Sequence, residues 1–203
     1  MSVTIINVSG NIGSGKSTLL KNLRFENFMV VREPVHLFKN YKGVNLLEGF
    51  YNKTISSIDF QTTMGKIFID YHIKKYNKCI KNNIKYMITE RSVIDSIEIF
   101  SRILIKDEAF YESIYHEVKE YQKYLPSLFI YIKSDPSNCL NRIILRNRKE
   151  ERGIQLEYLE QLHDATERFF ESLPVEKKLV YCMETKSKTM VADDVSSLLM
   201  KYI

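Results

Sequence analysis

The 203-residue chain predicts an α/β fold, a parallel β-sheet covered by helices, on two observations. Five short runs rich in β-branched and aromatic residues, at 3–9, 28–32, 86–89, 128–133 and 178–183, have the length and composition of buried strands. Most are separated by stretches with apolar residues at helical spacing, among them 60–81 and 95–124. That alternation belongs to a sheet whose parallel strands are joined by crossover helices.

The first strand runs into Gly10-Asn11-Ile12-Gly13-Ser14-Gly15-Lys16-Ser17, which satisfies G-x-x-x-x-G-K-[ST] and opens the apolar helical run Thr18-Leu19-Leu20. A chance match in a chain this long has odds of roughly one in a hundred. Glycines let successive N–H groups turn toward a phosphate, the helix N-terminus adds positive potential, and Lys16 adds a full charge for catalysis. Gly10, Asn11, Ile12, Gly13, Ser14, Gly15, Lys16, Ser17 and Thr18 are therefore the expected triphosphate site, with the Ser17 hydroxyl on a magnesium ion. A glycine-rich turn without ligand is the alternative. The motif points to a bound nucleoside triphosphate such as ATP and says nothing of the acceptor.

The second strand ends in Arg32-Glu33-Pro34-Val35. Strand ends in a doubly wound sheet open into the ligand crevice, so Glu33 is aimed at the phosphate loop. A carboxylate there accepts a proton from an attacking hydroxyl and repels an acceptor that already carries a phosphate, which favours a neutral alcohol. The competing reading is a surface turn. The third strand ends in Glu90-Arg91-Ser92, where an acid can hold Mg²⁺ and an arginine can steady a migrating phosphoryl group, or the two form a structural ion pair. After the fourth strand come Arg142, Arg146 and Arg148. A helix puts Arg142 and Arg146 on one face with Arg148 near its end, so residues 142–153 read as an arginine-rich lid over triphosphate oxygens. A solvated charged face is the bland alternative. After the fifth strand, Asp193 and Asp194 precede an apolar stretch ending in Leu198, Leu199 and Ile203, which suits a capped closing helix.

Composition narrows the partners. Hydrophobic residues make up 44% and charged residues 27%, and neither a repeat nor a linker divides the chain, so one domain over 1–203 is expected. The net charge of +5 is modest and its lysines are scattered, as at Lys74, Lys75, Lys78, Lys81 and Lys85. No basic block is interleaved with aromatics, so anionic small molecules are expected rather than nucleic acid. The odd, widely spaced Cys79, Cys139 and Cys182 give neither a disulfide framework nor a CxxC metal site. No apolar run nears the roughly 20 residues of a membrane span. Met1 leads straight into a strand, leaving no room for a leader, and a cytoplasmic setting is expected.

Taken in order, Gly10-Asn11-Ile12-Gly13-Ser14-Gly15-Lys16-Ser17, Glu33-Pro34-Val35, Asn45-Leu46-Leu47-Glu48, Tyr51, Phe60-Gln61, Glu90-Arg91-Ser92 and the lid running into Gly153-Ile154-Gln155-Leu156-Glu157-Tyr158-Leu159 resemble the deoxynucleoside kinase family over essentially the whole chain. The resemblance implies a P-loop three-layer fold with strand order 2-3-1-4-5, a homodimer built on helices, and transfer of the ATP γ-phosphoryl group to the 5′-hydroxyl of a deoxyribonucleoside. It makes Glu33 the base with Arg91 beside it and assigns the sugar 3′-hydroxyl to Tyr51 and Glu151. Gln61 then pairs with the base edge and Phe100 stacks on the ring. Ser96 and Phe68 occupy the positions where deoxycytidine and deoxyguanosine kinases resemble one another in an Asp and Arg pair. Their replacement, with the 18-residue spacing from Glu33 to Tyr51, looks more like insect and mitochondrial thymidine-type enzymes, and implies thymidine and deoxycytidine as acceptors. Phe38 keeps an aromatic wall where relatives usually carry tryptophan. The Gln61 amide offers a donor and an acceptor side by side and suits either pyrimidine. Three other readings remain open at this stage: a nucleoside monophosphate kinase, a purine-preferring kinase, and a non-catalytic P-loop module.

Overall fold

The computed structural model describes residues 2–23, 27–182 and 193–197. Along the chain run β1 (Thr4–Ser9), α1 (Lys16–Asn22), β2 (Phe28–Val31), α2 (Val35–Lys39), α3 (Leu46–Tyr51), α4 (Ser57–Lys81), β3 (Tyr86–Glu90), α5 (Val93–Asp95), a π-helical turn (Ser96–Ser101) and α6 (Arg102–Leu104). There follow α7 (Glu108–Lys119), β4 (Leu128–Lys133), α8 (Pro136–Arg146), α9 (Leu156–Ser172) and β5 (Lys178–Cys182). The five strands form one sheet in the order β2-β3-β1-β4-β5, the order expected from the sequence. Every pairing is parallel, with Ile6 opposite Ile88 on one side and Leu128 on the other.

Alternation along β1 creates the three layers. Ile6 and Val8 join Ile88, Ile130 and Ile132 under Leu19, Leu20 and Leu23 of the α1 region. Val3 and Ile5 join Met87 and Val31 against Tyr76 and Cys79 of α4. Both faces are buried, so the central strands need no polar side, and each fully buried Ile contributes about 1.5–3 kcal/mol. A second core, with Phe38, Leu46, Phe60, Phe68 and Ile97, binds α2, α3 and α4 to the segment after β3 and forms the floor of the acceptor side.

Most boundaries fall within a residue of expectation; α4 begins earlier, at Ser57, because the Ser56 hydroxyl accepts from the Asp59 N–H at 3.1 Å. The stretch 95–124 departs more. It is not one helix but α5, the π-turn, α6 and α7. The Ser101 hydroxyl donates to the Ser96 carbonyl within the π-turn, Ile105 is extended, and the Asp107 carboxylate caps α7 by accepting from the Ala109 N–H. The Tyr111 hydroxyl then satisfies the Ile105 carbonyl at 2.9 Å. Near the C-terminus residues 193–197 are helical and Val195 is buried in the core with Ile6 and Val8. Met183, Leu198, Leu199 and Ile203 lie outside the described residues. No helix among the described residues is long and apolar enough to cross a membrane.

Candidate active site

The C-terminal ends of β1, β2 and β3 open into a cavity of about 410 Å³. Its phosphate end is the loop between β1 and α1. Gly10 and Gly13 have φ of +141° and +80°, and a Cβ on either would come within 2.6 Å of a backbone carbonyl oxygen, of Ile132 and Cys139 respectively. The curl therefore requires glycine. Ile12, Gly13, Gly15, Lys16, Ser17 and Thr18 line the cavity. Gly10, Asn11 and Ser14 do not; they shape the loop from behind. The Asn11 side chain accepts from the Ile12 N–H at 2.8 Å and donates to the Leu159 carbonyl at 2.7 Å, tying the loop to α9.

Lys16 Nζ donates to the carbonyls of Gly10 (2.9 Å) and Asn11 (2.6 Å). Burial, reinforced by the Arg91 charge, pulls its pKa down to about 7. An anion in the cradle is the partner such an ammonium lacks. The loop thus fits a triphosphate. Ser17 donates to Glu90 Oε1 at 2.5 Å, so the expected magnesium pair is adjacent, an oxygen set suited to that ion.

On the acceptor side, Arg91 Nη1 donates to both oxygens of Glu33 at 2.8 and 2.9 Å, and Nη2 reaches the Gly10 carbonyl at 3.4 Å. The guanidinium lies 4.9 Å from the Phe100 ring centroid. Arg91 is 7% exposed and left-handed at φ +61°. Glu33 is thus neither on the surface nor under the sheet; it faces the cavity beside the loop. The Tyr51 hydroxyl is pushed up to about 12 by burial and then by the Glu151 charge, so it stays a proton donor.

The lid arginines are already engaged. Arg142 donates to Ser134 Oγ at 2.7 Å and to the Gly13 carbonyl at 3.3 Å, and so lies against the phosphate loop. Arg146 forks onto Glu151 at 2.6 and 2.7 Å, and Arg148 joins it at 3.2 Å. Asn147, left-handed at φ +46°, ends α8, so Arg148 follows the helix rather than extending it. Two ion pairs not foreseen from the sequence fasten the lid to the acceptor side: Lys39–Glu150 at 2.8 Å and Lys149–Glu48 at 3.5 Å. No local pattern signals them, because their partners lie on separate elements.

Gln61, 2% exposed, ends the cavity. Ser96 Oγ donates to its Oε1 at 2.8 Å, while its Nε2 has no partner and is left to a ligand. Phe38 and Phe68, 5.5 Å apart between ring centroids, wall this end with Met64. The cavity brings together Glu33, Tyr51, Gln61, Glu90, Arg91, Ser96, Phe100 and Glu151 with the loop and all three lid arginines.

Comparison with known proteins agrees with this geometry. Residues 6–201 match the family described as deoxynucleoside kinase. The chain is 32% identical over 186 residues to the deoxycytidine kinases of Mus musculus and Homo sapiens, covering 78% of this chain and 72% of each relative. It is 30% identical over 177 residues to a probable deoxycytidine kinase of Fowlpox virus, covering 81% of this chain and 70% of that protein.

Proposed function

The chain belongs to the deoxynucleoside kinase family, and on that premise we propose that it moves the terminal phosphoryl group of ATP to the 5′-hydroxyl of thymidine and deoxycytidine. One observation carries the reading: a cavity-facing carboxylate, Glu33, held by Arg91 beside a phosphate cradle. Glu33 accepts the proton of the attacking hydroxyl. Arg91, joined to Glu33 and to the Gly10 carbonyl, stands between acceptor and donor and stabilises charge on the migrating group. Ser17 and Glu90 would hold a magnesium ion, which would supply neutralising charge to the triphosphate. Lys16 holds the donor, and Arg142, Arg146 and Arg148 close over it, excluding water. Tyr51 and Glu151 bind the sugar 3′-hydroxyl.

The pyrimidine preference is supported by the Gln61 amide. It has one committed acceptor and one uncommitted donor, at an end of the cavity lined by Phe38, Met64 and Phe68. Phe100 stacks on the base. The same reading takes one domain over 1–203, from a sequence that no repeat or linker divides, and a homodimer built on helices, from family likeness. A cytoplasmic setting agrees with three cysteines that form no disulfide. The deciding experiment offers the four natural deoxynucleosides and thymidine monophosphate as acceptors with ATP and magnesium. Transfer to thymidine and deoxycytidine is expected. Transfer to the monophosphate alone refutes the role of Glu33, and preference for purine nucleosides refutes the base assignment.

A further inference from the structure

Beneath the arginine turn lies a buried polar cluster that the phosphoryl-transfer reading leaves without a role. A non-glycine residue keeps a left-handed conformation only where its surroundings enforce it, and Arg91 is such a residue. Asp95 is 1% exposed, and its Oδ2 gathers three donors: the Ser92 N–H at 2.9 Å, the Ser92 hydroxyl at 3.1 Å and the Asn7 amide at 2.6 Å. Ser92 Oγ in turn accepts from the Ile94 N–H at 3.2 Å, which closes a capping box on the residue following Arg91. Asn7 belongs to β1, two residues before Ser9, to which it also donates at 2.8 Å, and it accepts from Thr89 of β3 at 3.1 Å. One carboxylate therefore ties the strand that launches the phosphate loop to the turn that presents the arginine.

A buried carboxylate is costly without compensation. Burial raises the Asp95 pKa, opposed by hydrogen bonds from Ser9 and Asn7 and by the Arg91 charge. Asp95 Oδ1 and Arg91 Nε are both buried without a hydrogen-bond partner, so charge rather than a direct bond links them. An apolar residue would cap no turn and carry no charge toward the arginine.

We propose that Asp95 is a positioning residue for phosphoryl transfer, its carboxylate locking the Ser92 turn and the left-handed Arg91 so that the guanidinium bridges Glu33 and the phosphate loop. The inference rests on the reading above that Arg91 acts on the migrating group.

The test is a kinetic cycle of D95N, R91A and the double variant, with thymidine and deoxycytidine as acceptors, below the melting temperature of every protein. D95N is expected to lower kcat on the order of 10- to 100-fold, while KM for ATP moves less than about threefold. In the R91A background the same change should cost less than about twofold, because the group it positions is gone. An equal loss in both backgrounds, or a lowered Tm with parent-like kcat, reduces Asp95 to a staple of the fold and overturns the proposal. Parent-like turnover of R91A would instead sink the assigned role of Arg91 and this inference with it. Should D95N fail to fold, S92A and N7A, each removing donors to the same carboxylate, enter the same cycle with the same expectations.

Discussion

Exchanging Glu33 for Gln removes a base while nearly preserving shape. Glu33 and Arg91 form a pair whose side chains are 17% and 9% exposed, joined by two hydrogen bonds. A glutamine keeps one acceptor for Nη1 and turns the other bond into a donor facing a donor. Loss of one charge-assisted bond costs about 1.5–3 kcal/mol, which for a chain of this size lowers Tm by about 3–12 °C. Loss of general-base catalysis costs about 10²- to 10⁴-fold in kcat, equivalent to about 3–5.5 kcal/mol of transition-state stabilisation. The triphosphate cradle keeps all its contacts, so ATP affinity should hold. Steady-state transfer to thymidine, thermal melting and ATP titration separate these effects. A variant that melts lower, binds ATP normally and turns over within tenfold of the parent would reduce Glu33 to an anchor for Arg91 and refute the proposed chemistry.

Other measurements probe the donor side. Because the Lys16 pKa falls to about 7 on folding, the unfolded chain binds more protons between about pH 7 and the ordinary lysine value of 10.5; stability of the ligand-free protein should rise with pH across that window. ATP binding at pH 8 should then take up nearly one proton, seen by calorimetry in buffers of different ionisation enthalpy; no uptake would contradict a neutral resting lysine. Gly13→Ala forces a Cβ against the Cys139 carbonyl at φ +80° and should cost about 1–3 kcal/mol together with most ATP affinity, read by melting and titration. Arg148 is half exposed and held by one bond, so Arg148→Ala should leave Tm nearly unchanged while lowering kcat at least about tenfold; an unchanged rate would remove it from the lid chemistry.

What could be read from the sequence was local. The phosphate loop is contiguous, and its glycines are needed for reasons visible within the motif. The strands announced themselves because burial on both faces gives unbroken apolar runs. Position within a doubly wound sheet then sufficed to aim Glu33 and Glu90-Arg91 at the crevice. Illegible were features made by partners far apart in sequence. The clasps Lys39–Glu150 and Lys149–Glu48 join separate elements. The commitment of Gln61 to Ser96 depends on α4 lying against the π-turn. The break within 95–124 was hidden because its apolar spacing continues through it, although Asp107 two residues before Ala109 is a capping signal. Ser92-Val93-Ile94-Asp95 likewise has the spacing of a capping box, a signal contained within four residues.

The π-turn between α5 and α6 carries Ser96 and Phe100, both facing the cavity. Such a turn holds one residue more than the α-helical turn it interrupts. Deleting a single residue from 97–99 would let the segment heal into regular helix, leaving Ser96 and Phe100 at the i, i+3 spacing that still shares one helix face. Sequence phase at this point is thus cushioned. The surplus residue widens one turn of the pocket wall, so a codon lost there would tighten the acceptor end while both side chains kept to the cavity and every strand of the sheet stayed where it was.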